Sequence, residues 1–421
     1  MPIVLFEDER VSGLDPAAIG KPAFAINCGS YRLVDLTDQL GTVVLAHVRP
    51  HLVESVAADY PDFQPSPTYQ QTSSPPGPTL WINARTVPSV QALHVFRQLL
   101  AAGQPGVVRS GDTVSAAVLP DGMTLNVAPG ESITTAAFDV LNLPPLPGEL
   151  PVFEYAHDII RHHLTILSGN LEHRLASGAY TQLSDGVFAA PGATLGQYVV
   201  TDTRRGPIVL EAGASIGPYC YLSGPVHVGA AARVLEHAAL KDAVVIGHTA
   251  KIGGEVEASI IEPYTNKQHH GFLGHSYLGS WINLGAGTCN SDLKNTYGQV
   301  NMEYRGQKVA TGMQFIGAIV GDYAKTAINT GIFTGKTIGA CSMVYGFVTT
   351  NVPSFVNYAR LFGQVSEAPV EVMVQTQRRM FARRGVTQRP CDIQLLHDMH
   401  ALTMHERQRT GEVLSLEPLS L

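Results

Sequence analysis

From Ile216 to Ile252 the chain places an aliphatic residue at every sixth position: Ile216, Leu222, Val228, Val234, Leu240, Ile246 and Ile252. Four residues after each of the first six stands a small or β-branched side chain: Cys220, Val226, Ala232, Ala238, Val244 and Ala250. A six-residue period matches neither the 3.6 of a helix nor the 2 of a plain strand. It predicts a coil of three short strands per turn, about 18 residues long, with one aliphatic pointing inward from each side of a triangular prism. Small residues fit the corners. Glycine follows the aliphatic at 217, 229, 247 and 253, where it is expected to supply the positive φ of the turn. A second run appears at Leu278 and Leu284, and a third at Val320, Thr326, Ile332, Ile338 and Val344.

This is the hexapeptide pattern of a single-stranded left-handed parallel β-helix, expected over residues 181–355. Between the second and third runs the period fails, and residues 287–314 are polar with their own alternation. They read as a loop excursion or hairpin leaving the coil. Prisms of this kind have flat, partly apolar faces, so a homotrimer is expected.

Upstream the pattern changes. Residues 1–150 alternate short apolar runs ("PIVLFED", "LGTVVLAHV", "TVSAAVLP") with amphipathic stretches ("HLVESVAADY", "SVQALHVFRQLLAAG"). That order predicts an α/β, Rossmann-like domain on a parallel sheet. The Pro/Ser/Thr-rich "PDFQPSPTYQQTSSPPGPT" reads as a loop. Residues 151–180 read as a connecting helix with an interruption at Ser168–Gly169. The tail, 356–421, reads as helical, with "APVEVMVQTQRRMFARRG" and "DIQLLHDMHALTMHERQRTG" as its two helices.

Composition narrows the partners. Charged residues are only 15% of the 421, and the net charge of −7 argues against nucleic-acid binding, which needs a basic face. No run approaches 18 apolar residues, so no membrane span is expected. The five cysteines are scattered and form no CxxC pair. Free thiols in a cytoplasmic protein fit that usage, and a disulfide framework or a zinc site does not.

The chemistry gathers in "YTNKQHHGFLG", residues 264–274. Prisms of this class most often carry acyltransferases, and transfer from a thioester needs little from the protein. A base takes the proton of the attacking amine or hydroxyl, and histidine suits that task near neutral pH. Donors hold the oxyanion, and a cation holds any phosphate on the substrate. His269 and His270 are the candidate bases, and Lys267 is a candidate phosphate contact. Asn283, Asn290 and Lys294 lie about one coil further on. Three histidines within seven residues (269, 270 and 275) lack an acidic or Cys partner at ligand spacing, so no metal is expected.

Two segments, "YTNKQHHGFLGHSYLGSWINLGAGTCNSDLKN" and "TGMQFIGAIVGDYAKTAINTGIFTGKTIGA", resemble the GlmU-like sugar nucleotidyltransferases. These are relatives of the bifunctional UDP-N-acetylglucosamine pyrophosphorylase/glucosamine-1-phosphate acetyltransferase. The resemblance extends over 186–355 and, more weakly, over 1–150. It implies acetyl-CoA as co-substrate and an amino sugar, sugar phosphate or nucleotide sugar as acceptor. The family's base lies five residues before the glycine of the next turn, and counting back from Gly274 selects His269. The family's tyrosine falls at Phe272, which lacks the hydroxyl. Its Asn-Ile-Gly-Ala-Gly-Thr falls on residues 283–288, and Asn290 is kept. The resemblance therefore implies Asn266, Lys267, Asn283, Asn290 and Lys294 as substrate-binding residues.

In the N-terminal half the family's glycine-rich phosphate turn is replaced by Glu7-Asp8-Glu9, whose carboxylates would repel a triphosphate unless Mg²⁺ intervened. Arg10 and Lys21 remain as nucleotide or sugar-phosphate candidates, and this half is expected to be degenerate. Two alternatives stay open: an active sugar-1-phosphate nucleotidyltransferase, and a non-catalytic sugar-nucleotide-binding scaffold.

Overall fold

The structure is a computed structural model of the chain and describes residues 1–41, 43–66, 77–123, 125, 127 and 132–409. Most of the Pro/Ser/Thr-rich loop lies outside the described residues.

The N-terminal domain is a six-stranded sheet. Four parallel strands run in the order Gln64–Ser66, Val43–His47, Ile3–Phe6 and Thr79–Asn83. The expected all-parallel sheet is corrected at one edge. Thr113–Leu119 pairs antiparallel with both Thr79–Asn83 and Gly106–Ser110. The cause is local: Gly111, at φ +56°, closes a two-residue hairpin that needs no helical crossover. The helix Val90–Ala102 forms as expected. Ser89 Oγ accepts from the Ala92 amide at its start, and Gly103, at φ +59°, ends it.

The connecting helix, His157–Ser177, is continuous through Ser168 and Gly169. A helical glycine costs only about 1 kcal/mol, and Gly169 is exposed while His163, Leu167, Asn170 and Leu171 are buried around it. His163 ties the two halves together. Its Nδ1 accepts from the Gly29 amide (3.2 Å) and its Nε2 donates to the Ala243 carbonyl (2.9 Å), which requires the neutral ring.

The C-terminal half is a parallel β-solenoid with three faces. The first is a nine-stranded sheet covered by the connecting helix and the N-terminal domain. The second carries Ser215–Ile216, Arg233–Val234, Lys251–Ile252 and Asn266–Lys267, and the third carries Tyr221–Ser223, Ala239–Lys241, Glu255–Glu257 and Phe272–Gly274. The hexapeptide aliphatics are its core: Leu222, Val228, Leu240, Ile246 and Ile252 are fully buried.

Three expectations change here. The glycines after the aliphatics do not make the turns. The positive φ falls two residues later, on Tyr219 (59°), Ala231 (54°) and Thr249 (60°). At Gly217, Gly229 and Gly247 a Cβ would come within 2.5–2.7 Å of the next coil's backbone, so glycine is there for close stacking. Second, the coil does not stop between Ile252 and Leu278. Lys267 pairs in register with Ile252, fifteen residues back, and Val256 with Leu240, sixteen back. Shortened corners break the count while the strands keep their register. Third, Cys289–Asn290 is still a solenoid strand, pairing with Gly331–Ile332. The excursion leaves after it and holds the hairpin Asn301–Tyr304/Gln307–Ala310. Tyr304 accepts from the His157 amide at 3.1 Å, locking that hairpin onto the connecting helix.

The tail is not helical from its start. Val356–Ala359 extends the solenoid beside Met343–Val344 and pairs antiparallel with Gln364–Glu367. Three helices follow, Val370–Ala382, Pro390–Leu402 and Met404–Arg409. They return to the N-terminal domain, where Arg389 pairs with Asp59 at 2.7 Å and Leu396 and Met399 join a core that also contains Tyr277 and Ile319 of the solenoid.

Candidate active site

The HisHis stretch forms the corner between the second and third faces, directly after Asn266–Lys267 and before Phe272–Gly274. Side chains alternate across that strand. Asn266 points outward, and Lys267 points into the core with 2% of its surface exposed. The Lys267 ammonium donates to the carbonyls of Gly253 (2.7 Å) and His269 (3.1 Å). Loss of water pushes its pKa down to about 8, and Cys289 and Glu255 oppose that only in part. Lys267 is therefore a tether for the corner.

His269 and His270 are both exposed. The ring of His270 lies against the next coil, with Nε2 3.4 Å from where a Cβ on Gly287 would sit. Among the described residues His269 has no partner for its ring, and the amides of His269, His270 and Gly271 donate to no protein acceptor. The corner thus presents an imidazole beside a row of unspent N–H donors, the two elements that acyl transfer requires. The exposed Cys289 faces the same corner, its Sγ accepting from the Phe272 amide at 3.3 Å.

The other sequence-predicted residues separate into four groups. Asn266 and Asn283 stack outward on the second face, joined by a β-bridge, and Asn283 is exposed. Asn266 Oδ1 accepts from Arg384 of the tail at 2.6 Å. Asn290 points inward. Its amide closes both backbone groups of Gly274, donating to the carbonyl (3.0 Å) and accepting from the N–H (2.9 Å). Lys294 and Arg10, expected at different sites, line one cleft of about 1140 Å³ between the N-terminal domain, the hairpin and the last coils. Lys294 donates to the Gln299 carbonyl, and Arg10 lies 3.7 Å from Glu154.

Lys21 is removed from solvent by the solenoid. Its ammonium pairs with Asp322 at 3.0 Å. Burial works against the charge, but Asp322 and then Glu262 outweigh it and hold the pKa above the ordinary lysine value. Two residues of the acidic triplet are also spoken for, while Glu9 is exposed. Glu7 is bound by Arg49, and buried Asp8 by Arg85 at 2.6 and 2.7 Å. With those carboxylates paired to guanidiniums, the residues present do not fit a Mg²⁺ site. Among the described residues no group of three or more His, Cys, Asp or Glu is placed to hold a metal ion.

The sequence reading missed one pair. His275 Nδ1 meets Asp292 Oδ2 at 2.9 Å, seventeen residues on. One shortened coil is the spacing that would have found it.

Residues 3–175 match the family model described as sugar nucleotidyl transferase. The chain is 28% identical over 149 residues to the bifunctional sugar-1-phosphate nucleotidylyltransferase/acetyltransferase of Sulfurisphaera tokodaii, covering 35% of this chain and 37% of that protein. It is 29% identical over 117 residues to the bifunctional protein GlmU of Methanococcus vannielii, covering 28% and 27%. The chain therefore spans little more than a third, or less, of the curated relatives it matches. Among solved structures, the Francisella novicida UDP-N-acetylglucosamine acyltransferase aligns at 16% identity with a TM-score of 0.29, covering 52% of this chain and 74% of that one.

Proposed function

We propose that the chain catalyses CoA-dependent acyl transfer, with acetyl-CoA as donor and an amino sugar, its phosphate or a nucleotide sugar as acceptor. One observation carries the reading: the exposed His269 imidazole stands beside three unspent backbone donors on a corner tethered by Lys267.

His269 takes the proton as the acceptor's amine or hydroxyl attacks the thioester carbonyl. The amides of residues 269–271 stabilise the resulting oxyanion. Collapse breaks the C–S bond, and the departing thiolate takes the proton from the His269 imidazolium. No covalent enzyme intermediate is needed. Asn283 and Asn266 orient the acceptor from the neighbouring face. Lys267 acts through the corner, since its donors are spent inside the coil. The exposed apolar side chains Val200, Tyr221 and Phe347 on the third face support assembly as a homotrimer, and five free thiols support a cytoplasmic setting.

The test is thiol release from acetyl-CoA with a panel of amino-sugar acceptors. Loss of a general base lowers the rate about 10²–10⁴-fold, so His269→Ala should fall in that range while His270→Ala keeps most activity. Unchanged transfer in His269→Ala would sink the assignment. Sugar-1-phosphate nucleotidyl transfer is the second reading, supported by the family match of residues 3–175 and by Arg10 on an open cleft. Pyrophosphate release from a sugar 1-phosphate and UTP or dTTP would favour it. The burial of Lys21 on Asp322 weighs against it.

A further inference from the structure

The outward positions of the second face stack Arg233 on Lys251 on Asn266 in register, and Asn283 lies between Asn266 and Lys325. With strands about 4.8 Å apart, Arg233 and Lys325 bracket a column roughly 19 Å long. No Asp or Glu stands in it.

The tail adds to this column. Tyr264 and Trp281 stack on the adjacent corner at 4.2 Å, nearly parallel, and Phe381 packs on Trp281 at 4.5 Å. That seat places the end of the helix Val370–Ala382 beside the face. Arg383 and Arg384 then come over the column, with Arg384 donating to Asn266 Oδ1. Desolvation, followed by the guanidiniums of Arg384, Arg233 and Arg383, lowers the pKa of the Lys251 ammonium. Among the described residues none of Arg233, Lys251, Lys325, Arg383 or Arg384 meets a carboxylate. Arg233, Lys251, Arg383 and Arg384 have gathered on a chain of net charge −7, and their mutual repulsion opposes the docked tail unless an anion joins them; the Lys325 ammonium is turned to the Tyr323 carbonyl at 3.2 Å.

We propose that this column and the Arg383–Arg384 pair form a binding surface for the phosphate groups of a phosphorylated co-substrate. His269 lies three residues beyond Asn266, in the corner that follows the strand Asn266–Lys267, so the surface leads to the candidate base. The acyl-transfer reading bears only on which ligand brings the phosphate: the nucleotide end of CoA or a sugar phosphate acceptor.

Calorimetric titration with CoA, dephospho-CoA and glucosamine 1-phosphate tests this on the full chain. The double variant Lys251→Ser/Arg383→Ser removes two cations and leaves His269, Asn266 and Asn283 in place. It is expected to weaken one ligand about tenfold or more, the loss of a charged hydrogen bond, while Lys251→Arg keeps the affinity. Weaker CoA with unchanged dephospho-CoA assigns the 3′-phosphate, and weaker sugar phosphate assigns the acceptor. If no ligand weakens beyond about threefold, or none binds the parent chain below about 1 mM, the proposal is wrong. Because binding is read without turnover, an active His269→Ala enzyme would overturn the proposed base and leave this surface standing.

Discussion

Replacing Lys267 with methionine keeps the reach of the side chain and removes its charge. In the folded chain the ammonium's pKa is pushed from 10.5 down to about 8, chiefly by loss of water. At about 1.4 kcal/mol per pKa unit, holding the proton at neutral pH costs the native state roughly 3 kcal/mol. Methionine avoids that cost but leaves the carbonyls of Gly253 and His269 without their donor, at about 1–3 kcal/mol each. The two effects are of similar size, so stability at pH 7 should change by no more than about 3 kcal/mol.

The pH dependence separates them. Below pH 8 both folded and unfolded lysine are charged and the cost is present in full. Between pH 8 and 10.5 the unfolded chain binds more protons than the folded one, so parent stability rises with pH. The parent should therefore gain about 2 kcal/mol on Lys267→Met between pH 7 and 9.5. Comparing the two proteins cancels every other titration. Urea unfolding followed by fluorescence measures the gap, with Trp281 one coil above the substitution. A gap that stays flat, or moves against the parent, would refute a buried ammonium at this corner.

His163 gives the opposite limb. Desolvation lowers its pKa to about 4, so its contribution is intact above pH 6.5 and is lost as pH falls from 6.5 to 4, by up to about 3 kcal/mol; thermal melts of His163→Gln should show a flatter acid limb than the parent, and an unchanged slope would count against the neutral ring. Gly229→Ala puts a methyl 2.7 Å from His248 N and Ile246 O and should destabilise by about 1–3 kcal/mol, whereas Ala231→Gly, at φ 54°, should be nearly neutral; the reverse order in urea midpoints would restore glycine as the turn residue. Cys289 is the one exposed thiol of the five, so iodoacetamide at pH 8 should add once per chain by mass spectrometry and abolish acyl transfer, and full activity in the singly modified protein would move the site away from this corner.

The solenoid was legible because its inward residues are aliphatic and six apart for seven steps, so one count fixed both period and face. The count was lost after Ile252 for two separable reasons. Corners shortened, so that register partners stand fifteen to seventeen residues apart, and two inward positions became polar, Lys267 and Asn290. Yet Ile261, Lys267 and Leu273 are again six apart, as are Leu278, Leu284 and Asn290. Resuming the count on either side would have turned Lys267 and Asn290 inward and left Asn266 and His269 as the accessible polar groups. The resemblance to a known family could not make that distinction, because residue identity does not say which way a strand residue points. What no count could reach is long-range pairing. Lys21 meets Asp322, Asp8 meets Arg85 and Arg384 meets Asn266, each across a separation that local pattern does not encode. The first two occupy Lys21 and Asp8 of the N-terminal half, and the third carries a guanidinium to the second face. Which candidate residues stay open to solvent is therefore a product of how the halves dock: His269 and Asn283 on the solenoid and Arg10 at the cleft do, and Lys21 does not.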